Sequence, residues 1–327
     1  MSSTHIAIQG AGAVSSAGWG IQALKAAVMG NLAIPCVESQ REGTHAPVET
    51  RPVPKPETSL AFLRNPRLRR CSPITRFAVA ASLEALGEER MLQLKEGSYR
   101  LGMIFTFMNG CVNYSNRFYG EVLSDPTFAS PILFPETVFN APASHLAAML
   151  ESRGPAYTLV GDSAQFLAGM DLGIEWLLDE RVDGVIIVGG EELDWLSTEA
   201  VALFSHELVT SEGAGAVLLE RTDEKQSPTV QCITPAYTYA AGLTKHDAMQ
   251  SVRDGLPEAS EHAVRILHRF TEDTPALDPH QVIGDTLGAA LALQCALAYA
   301  LLEEDYENAH VLHAGANQQA IGAWFTR

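Results

Sequence analysis

Between Gly154 and Gly169 the chain reads Gly-Pro-Ala-Tyr-Thr-Leu-Val-Gly-Asp-Ser-Ala-Gln-Phe-Leu-Ala-Gly: a turn, a buried strand and a helix entered through a tight bend. Gly154-Pro155 punctuates the chain, Tyr157 to Val160 is apolar and rich in strand formers, and Asp162 or Ser163 is placed to cap the helix that follows. Apolar residues at Leu167, Met170, Ile174 and Leu177 fall at helical spacing, so one face of this helix is buried. A strand-to-helix elbow presents one residue to a pocket beside a helix N-terminus, where anionic charge is stabilised. Here that residue is Gln165. A carboxamide is not a nucleophile.

In the N-terminal segment, Ile6 to Ser15 is a short apolar strand running into a Gly10-x-Gly12 turn, followed by a helix from Gly20 to Met29. The turn is half of a dinucleotide fingerprint, but Ser15 stands where the third glycine is needed and residues 35–70 are too rich in proline and charge for a βαβ unit. The simplest reading is a structural turn; a dinucleotide site would need an acidic residue near Glu38 to read the ribose. Pro47, Pro52, Pro54 and Pro56, with Arg64, Arg67, Arg69 and Arg70, make residues 35–70 a loop with a solvated basic surface.

Further along, Ile74 to Leu86 has a helical period, Leu101 to Phe105 a strand pattern, and Asn109 to Val122 reads as a helix with Cys111, Tyr114, Ser115, Phe118 and Val122 near one face. Leu133 to Ser144 is a long loop ending at a helix start. The continuous apolar run within Val182–Glu191 belongs to a strand covered on both faces. Arg221 to Pro228 is a polar joint. Beyond it, a strand near Thr229–Pro235, a helix near Glu261–Phe270, a strand at Gln281–Ile283, a helix near Leu287–Leu302 and strands near His310 and Ala323 repeat the earlier β-then-α order.

Residues 154–169 resemble the active-site segment of the β-ketoacyl synthases, in which a Gly-Pro turn leads through a strand to Asp-Thr-Ala-Cys and a helix. Ile6–Ser15 resembles the family's opening strand, and Glu212–Glu220 its Gly-Glu-Gly-Ala-Gly strand with Ser211 in place of the first glycine. The resemblance implies a thiolase-like fold, with two pseudo-duplicated halves (1–222 and 223–327) in α/β/α/β/α layers, the second half shortened. Gln165 stands at the cysteine position, a substitution that resembles the chain length factors. These are catalytically silent partners of ketosynthases in type II polyketide systems. The short second half is similar to the small chain length factors of aryl polyene and dialkylresorcinol pathways.

A condensing synthase needs a thiolate to carry the acyl chain and two histidines to support decarboxylation and stabilise the enolate. The family's Lys-x-x-x-Gly-His-x-x-Gly-Ala stretch is matched by His280 to Ala289, which places Asp285 at the histidine and His280 at the lysine. No His-Gly-Thr-Gly-Thr loop occurs between Thr222 and His280, and the Gly-Phe-Gly-Gly-x-Asn gate is matched only by His313 to Asn317. The resemblance therefore implies a pseudoenzyme with vestigial positions Gln165, Asp285 and His280 and with no cofactor or metal. A rival reading is a Gln-type malonyl-carrier-protein decarboxylase, or a synthase with its nucleophile relocated to Cys111.

In chain length factors the helix matching Asn109–Val122 points bulky residues into the acyl tunnel at the heterodimer interface. The resemblance gives that role to Cys111, Tyr114 and Phe118, with Ser115 as a small neighbour, and sends Phe134 and Phe139 across the interface. It also implies a catalytic ketosynthase partner, with the Tyr157–Val160 strands pairing across the dimer axis. Thirty-nine acidic against 22 basic residues give a formal charge of −17, which opposes nucleic-acid and anionic-membrane binding and leaves acyl carrier protein docking mainly to the partner. Five widely spaced cysteines without C-x-x-C or zinc spacing, and no long uninterrupted apolar run, read as a cytoplasmic chain that does not insert into membranes.

Overall fold

The computed structural model describes residues 5–40, 47–205, 208–223, 227–239, 244–260, 262–269, 275–316 and 319–327. Its spine is an 11-stranded mixed sheet. The nine longer strands are β1 (His5–Ser15), β2 (Leu101–Phe107), β3 (Ala156–Val160), β4 (Gly184–Glu191), β5 (Gly213–Thr222), β6 (Thr229–Ile233), β7 (Ala263–His268), β8 (Asn308–Ala314) and β9 (Gln319–Thr326). Their spatial order is β7-β8-β9-β6-β1-β5-β4-β2-β3, with Gly18–Trp19 paired to β1 and Tyr237–Thr238 to β9.

The helices are α1 (Ile21–Met29), α2 (Pro73–Glu96, kinked at Gly87), α3 (Val112–Ser124), α4 (Ala141–Met149), α5 (Gln165–Leu178), α6 (Trp195–Phe204), α7 (Lys245–Asp254), α8 (Pro279–Ile283) and α9 (Ala290–Leu302). The stretch read as a loop at 35–70 carries two short strands, Val37–Ser39 and Val48–Arg51, which form a small second sheet with Thr210–Ser211. Arg64, Arg67, Arg69 and Arg70 are exposed, as a solvated surface requires.

The two halves repeat one pattern. From the middle outward, β1-β5-β4-β2-β3 pair antiparallel, antiparallel, parallel and parallel. In the second half β6-β9-β8-β7 pair antiparallel, antiparallel and parallel. Among the described residues, the place of β3 is taken in this half by one bridged residue, Leu277, whose N–H and C=O bond to Arg265 and Leu267 on β7 at 2.8 Å each. A single register pair, Ala7 with Thr229, joins β1 to β6.

Helices fill the layers around the two sheet halves. α2 and α4 cover the outer face of the first half, α7 covers that of the second, and α5 and α9 lie between them, α9 touching β1, β5, β7 and β8. The sequence of the central strands explains this packing. On β2 and β4, Ile104, Val185 and Ile187 face the central core while Met103, Phe105, Ile186 and Val188 face the core under α2, so both faces are apolar. α9 is buried on every side except at Tyr299, as a helix apolar all round must be; its five leucines contribute about 1.5–3 kcal/mol each.

Two expected elements are different. The stretch expected as a helix near Glu261–Phe270 is strand β7, where Val264 and Ile266 reach the central core; Glu261 and Phe270 lie outside the described residues. An apolar run this short does not separate helix from strand by period. The strand expected at Gln281–Ile283 is the helical turn α8. Asp278 accepts from His280 N at 3.2 Å and Pro279 occupies the first turn, which together set a helix start.

The glycines of the N-terminal turn have a packing role. A Cβ on Gly10 would lie 2.1 Å from the Ala85 carbonyl oxygen, and one on Gly12 2.1 Å from that of Ala81, so both allow α2 to rest directly on β1. They therefore do not form a phosphate cradle. Gly12→Ala is expected to destabilise the chain by about 1–3 kcal/mol or more, because backbone must move on both sides; a lowered urea midpoint with unchanged slope would show it.

Candidate functional site

The elbow leaves β3 at Val160, and Gly161 N bonds to Phe107 O at 3.0 Å. Asp162 O then accepts from Gln165 N at 2.9 Å and Ser163 O from Phe166 N at 3.0 Å, closing the bend in one turn. The expected side-chain cap is absent: Ala164 is the N-cap residue. Asp162 instead uses Oδ1 to accept from Ser163 N at 2.7 Å and from Ala316 N at 3.0 Å, fastening the β8–β9 connection to the elbow. Gln165 is half-buried with its side chain folded over Gly161, where an added Cβ would fall 2.8 Å from Cγ, and its carboxamide makes no hydrogen bond among the described residues.

Ser163 and His313 are buried and bonded through Oγ and Nε2. His313 Nδ1 meets Gln294 Oε1 at 2.6 Å, while the Gln294 amide donates to Ile266 O at 3.4 Å and Leu312 O at 3.5 Å. That orientation places the ring proton on Nδ1 and leaves Nε2 to accept from Ser163. The Ser-His-Gln chain ties the elbow to α9 and β8. With Ser163 only 3 % exposed, it has no room for a substrate.

Asp285 is fully buried and held on three sides. Arg269 Nε and its terminal NH2 donate to Oδ2 at 2.6 and 2.5 Å, Leu287 N donates to Oδ1 at 2.9 Å, and the backbone bridges to Val209 and Ser211 at 2.8 Å. His268 Nε2 lies 3.8 Å from the same Oδ2. The His268 ring stacks on His313 at 4.5 Å and 5°, and meets His280 edge-on at 5.3 Å. An imidazole thus stands beside the Asp285 position although no His-Gly-Thr-Gly-Thr loop occurs, and residues 270–274 that follow it lie outside the described residues. Burial above all, reinforced by Arg269 and the neighbouring rings, holds His268 and His313 well below the ordinary histidine range, so both are neutral.

The expected tunnel residues form a lobe around α3. Cys111 is buried at its N-terminus; Tyr114, Ser115 and Phe118 are half-buried. Ser115 Oγ donates to Cys111 O at 3.0 Å and Thr137 O at 3.4 Å, joining the helix to the following loop. Phe118 packs on Phe134 with ring centroids 5.6 Å apart, and Phe139 on Phe107 at 5.9 Å. Phe134 and Phe139 are nevertheless 55 % and 59 % exposed. The gate residues are split: His313 to Ala316 are described as above, whereas Asn317 lies outside the described residues.

Three buried acids organise the ground around these groups. Glu191 accepts from Met108 N at 2.9 Å, Asn109 N at 3.1 Å and Gly288 N at 3.2 Å. Burial pushes its carboxyl up to about 8, against the pull of the Met108 and Asn109 N–H groups. Glu192 accepts from Ser72 Oγ, Ile74 N and Asn113 N, and Glu212 from Val53 N and Leu193 N. A cavity of about 600 Å³ opens beside them, lined by Met108, Asn109, Arg269, Leu287 and Ala316 and by Phe204 of α6. The Gly-Gly-Glu-Glu end of β4 was the available sequence signal for these acids; nothing local marks Arg269 or Gln294.

The family described as Beta-ketoacyl synthase, N-terminal domain, matches residues 53–225, more than half of the chain. No curated protein matches the sequence. Among solved structures, the ishigamide ketosynthase/chain length factor aligns with a TM-score of 0.81 at 17 % identity, over 98 % of this chain and 99 % of that one. A ketosynthase (ApeO) in complex with its chain length factor (ApeC) from Xenorhabdus doucetiae aligns at 0.79 and 14 % identity, over 99 % and 98 %. A β-ketoacyl synthase from Burkholderia phymatum aligns at 0.75 and 16 % identity, over 99 % and 100 %. The fold is the thiolase-like fold of the ketosynthases.

Two predictions follow from the buried groups. Arg269→Met leaves the Asp285 carboxylate unpaired and should destabilise by about 3–5 kcal/mol, much of it recovered in the Arg269→Met/Asp285→Asn double variant; a denaturation cycle reads both. A histidine kept neutral in the fold but protonated when unfolded makes stability fall as pH drops below about 6.5, by up to about 1.4 kcal/mol per pH unit. The stability gap between wild type and His313→Gln should accordingly narrow from pH 6.5 to 5.5.

Proposed function

The chain belongs to the β-ketoacyl synthase family, and within it we propose that this protein is a non-condensing chain length factor that pairs with a catalytic ketosynthase. The observation that carries the reading is the Arg269–Asp285 clamp. An enolate or oxyanion needs a donor, and a carboxylate whose oxygens already accept from Arg269 and Leu287 cannot supply one. Gln165 removes the acyl-carrying thiolate at the same elbow. His280, at the lysine position, meets His268 edge-on and turns toward Asp278.

The partner's place is supported by what the chain leaves uncovered. Among the described residues β3 pairs on one side only, with β2, and Tyr157 and Val160 on it are 53 % and 46 % exposed. Phe134, Val138 and Phe139 continue the apolar surface beside it. A ketosynthase strand would add to this edge, and the α3 lobe would close one end of a shared acyl tunnel, so that elongation stops when the chain reaches Cys111, Tyr114 and Phe118. The pair would act in a type II polyketide system of the aryl polyene or dialkylresorcinol kind, in the cytoplasm, with carrier-protein docking mainly on the ketosynthase. No helix among the described residues is long and apolar enough to cross a membrane.

One observation favours the decarboxylase alternative: His268 supplies an imidazole close to the second-histidine position. Release of carbon dioxide from malonyl-loaded carrier by this chain, lost in His268→Gln, would establish it.

The decisive assay is elongation with malonyl-loaded carrier by the chain co-expressed with its ketosynthase. Phe118→Ala should lengthen the products by one or more extension units. Gln165→Ala should still support elongation, whereas loss of elongation in that variant within an intact complex would refute the non-catalytic role. Leu159→Lys at the open edge should weaken the complex at least about tenfold, as size-exclusion chromatography would show.

A further inference from the structure

Beneath the α3 lobe, three side chains from distant segments converge without any local sequence motif. Cys71 precedes α2, Glu136 lies in the loop after α3, and His145 is on α4. Their ligand-type atoms all lie within 4.8 Å of one another. His145 Nε2 stands 3.0 Å from both Glu136 oxygens, with side-chain exposures of only 16 % and 12 %, and the other ring nitrogen, Nδ1, is buried without a hydrogen-bond partner. Cys71 is fully buried, and Cys111 is close enough that Glu136 and Cys71 both act on its thiol.

We propose that Cys71, Glu136 and His145 form a binding site for a divalent zinc ion, with the Cys111 thiol or a water as fourth ligand. A thiolate, an imidazole and a carboxylate are the donor set that zinc takes in tetrahedral sites. One thiolate and one carboxylate balance the double charge of the metal, as a buried site requires. The Cys71 thiol proton, now donated to Arg67 O at 3.1 Å, leaves on binding. Burial, and then the Glu136 carboxylate, push that thiol up to about 12 against the pull of Arg76, which donates to the Leu68 and Cys71 carbonyls, so the charge of the ion itself has to displace the proton.

Such an ion would fasten the loop carrying Phe134 and Phe139 to the N-terminus of α2 and to α4. It would thereby set the position of the surface next to β3. The inference stands whether or not the chain limits product length, because it rests on the donor cluster alone.

The test uses the untagged full chain, stripped with a chelator and titrated with zinc, then with cobalt. The expected result is about one equivalent bound per chain, a thiolate-to-cobalt charge-transfer band, and an X-ray absorption shell with one or two sulfurs at about 2.3 Å and lighter ligands at about 2.0–2.2 Å. Cys71→Ser and His145→Ala should each abolish stoichiometric binding, whereas Cys295→Ala, a buried thiol elsewhere, should not. The spectra of wild type decide the matter even if those variants fold poorly. Binding no stronger than in Cys71→Ser, or a metal shell without sulfur, would overturn the proposal and leave His145 and Glu136 as a plain ion pair.

Discussion

The carboxyl of Glu191 is the point on which the site is assembled. It sits at the end of β4, fully buried, and gathers N–H groups from the exit of β2 at Met108 and Asn109 and from Gly288 in the second half. A buried acid is expensive unless its lone pairs are filled, and here the backbone that fills them is the backbone that leads into α3 and α9. A Cβ on Gly288 would fall 2.4 Å from Glu191 Oε2, so the second half can approach only because that residue is glycine. The α3 lobe and the start of the central helix are thus located relative to one another by one side chain.

Around this anchor, the buried polar side chains of the elbow and of the second half hold one another. Asp285 is matched by Arg269, His313 by Ser163 and Gln294, and Asp162 by the β8–β9 connection. These three side chains are each held by protein partners, which stabilises the fold. The cavity beside Arg269 and Leu287 persists, lined largely by apolar side chains that include Val201 and Phe204 of α6, with the paired Arg269 at its wall.

The elbow and the first-half strands were legible because glycine and proline punctuate them and because apolar runs of β-branched residues leave few alternatives. Gln165 and Asp285 could be placed from their flanking residues for the same reason. β7 could not: Ala263 to His268 is too short for a period to separate helix from strand, and its Arg265 interrupts the apolar run. Missing it also hid His268. Asp162 or Ser163 read as a helix cap because capping is a local rule, whereas Asp162 also accepts from Ala316 N, 154 residues away. The Ser163–His313–Gln294 chain and the Cys71–Glu136–His145 cluster share that property, since only the folded layers bring their members together.

The two margins of the large sheet differ in a way that bears on assembly. At β7 the sheet margin is already met by Leu277, while at β3 the opposite margin is bare. A chain with two bare margins could add neighbours at both ends and grow into a ribbon. Among the described residues the large sheet has one wholly bare margin, so a complex formed through β3 would leave it no second such edge on which to grow.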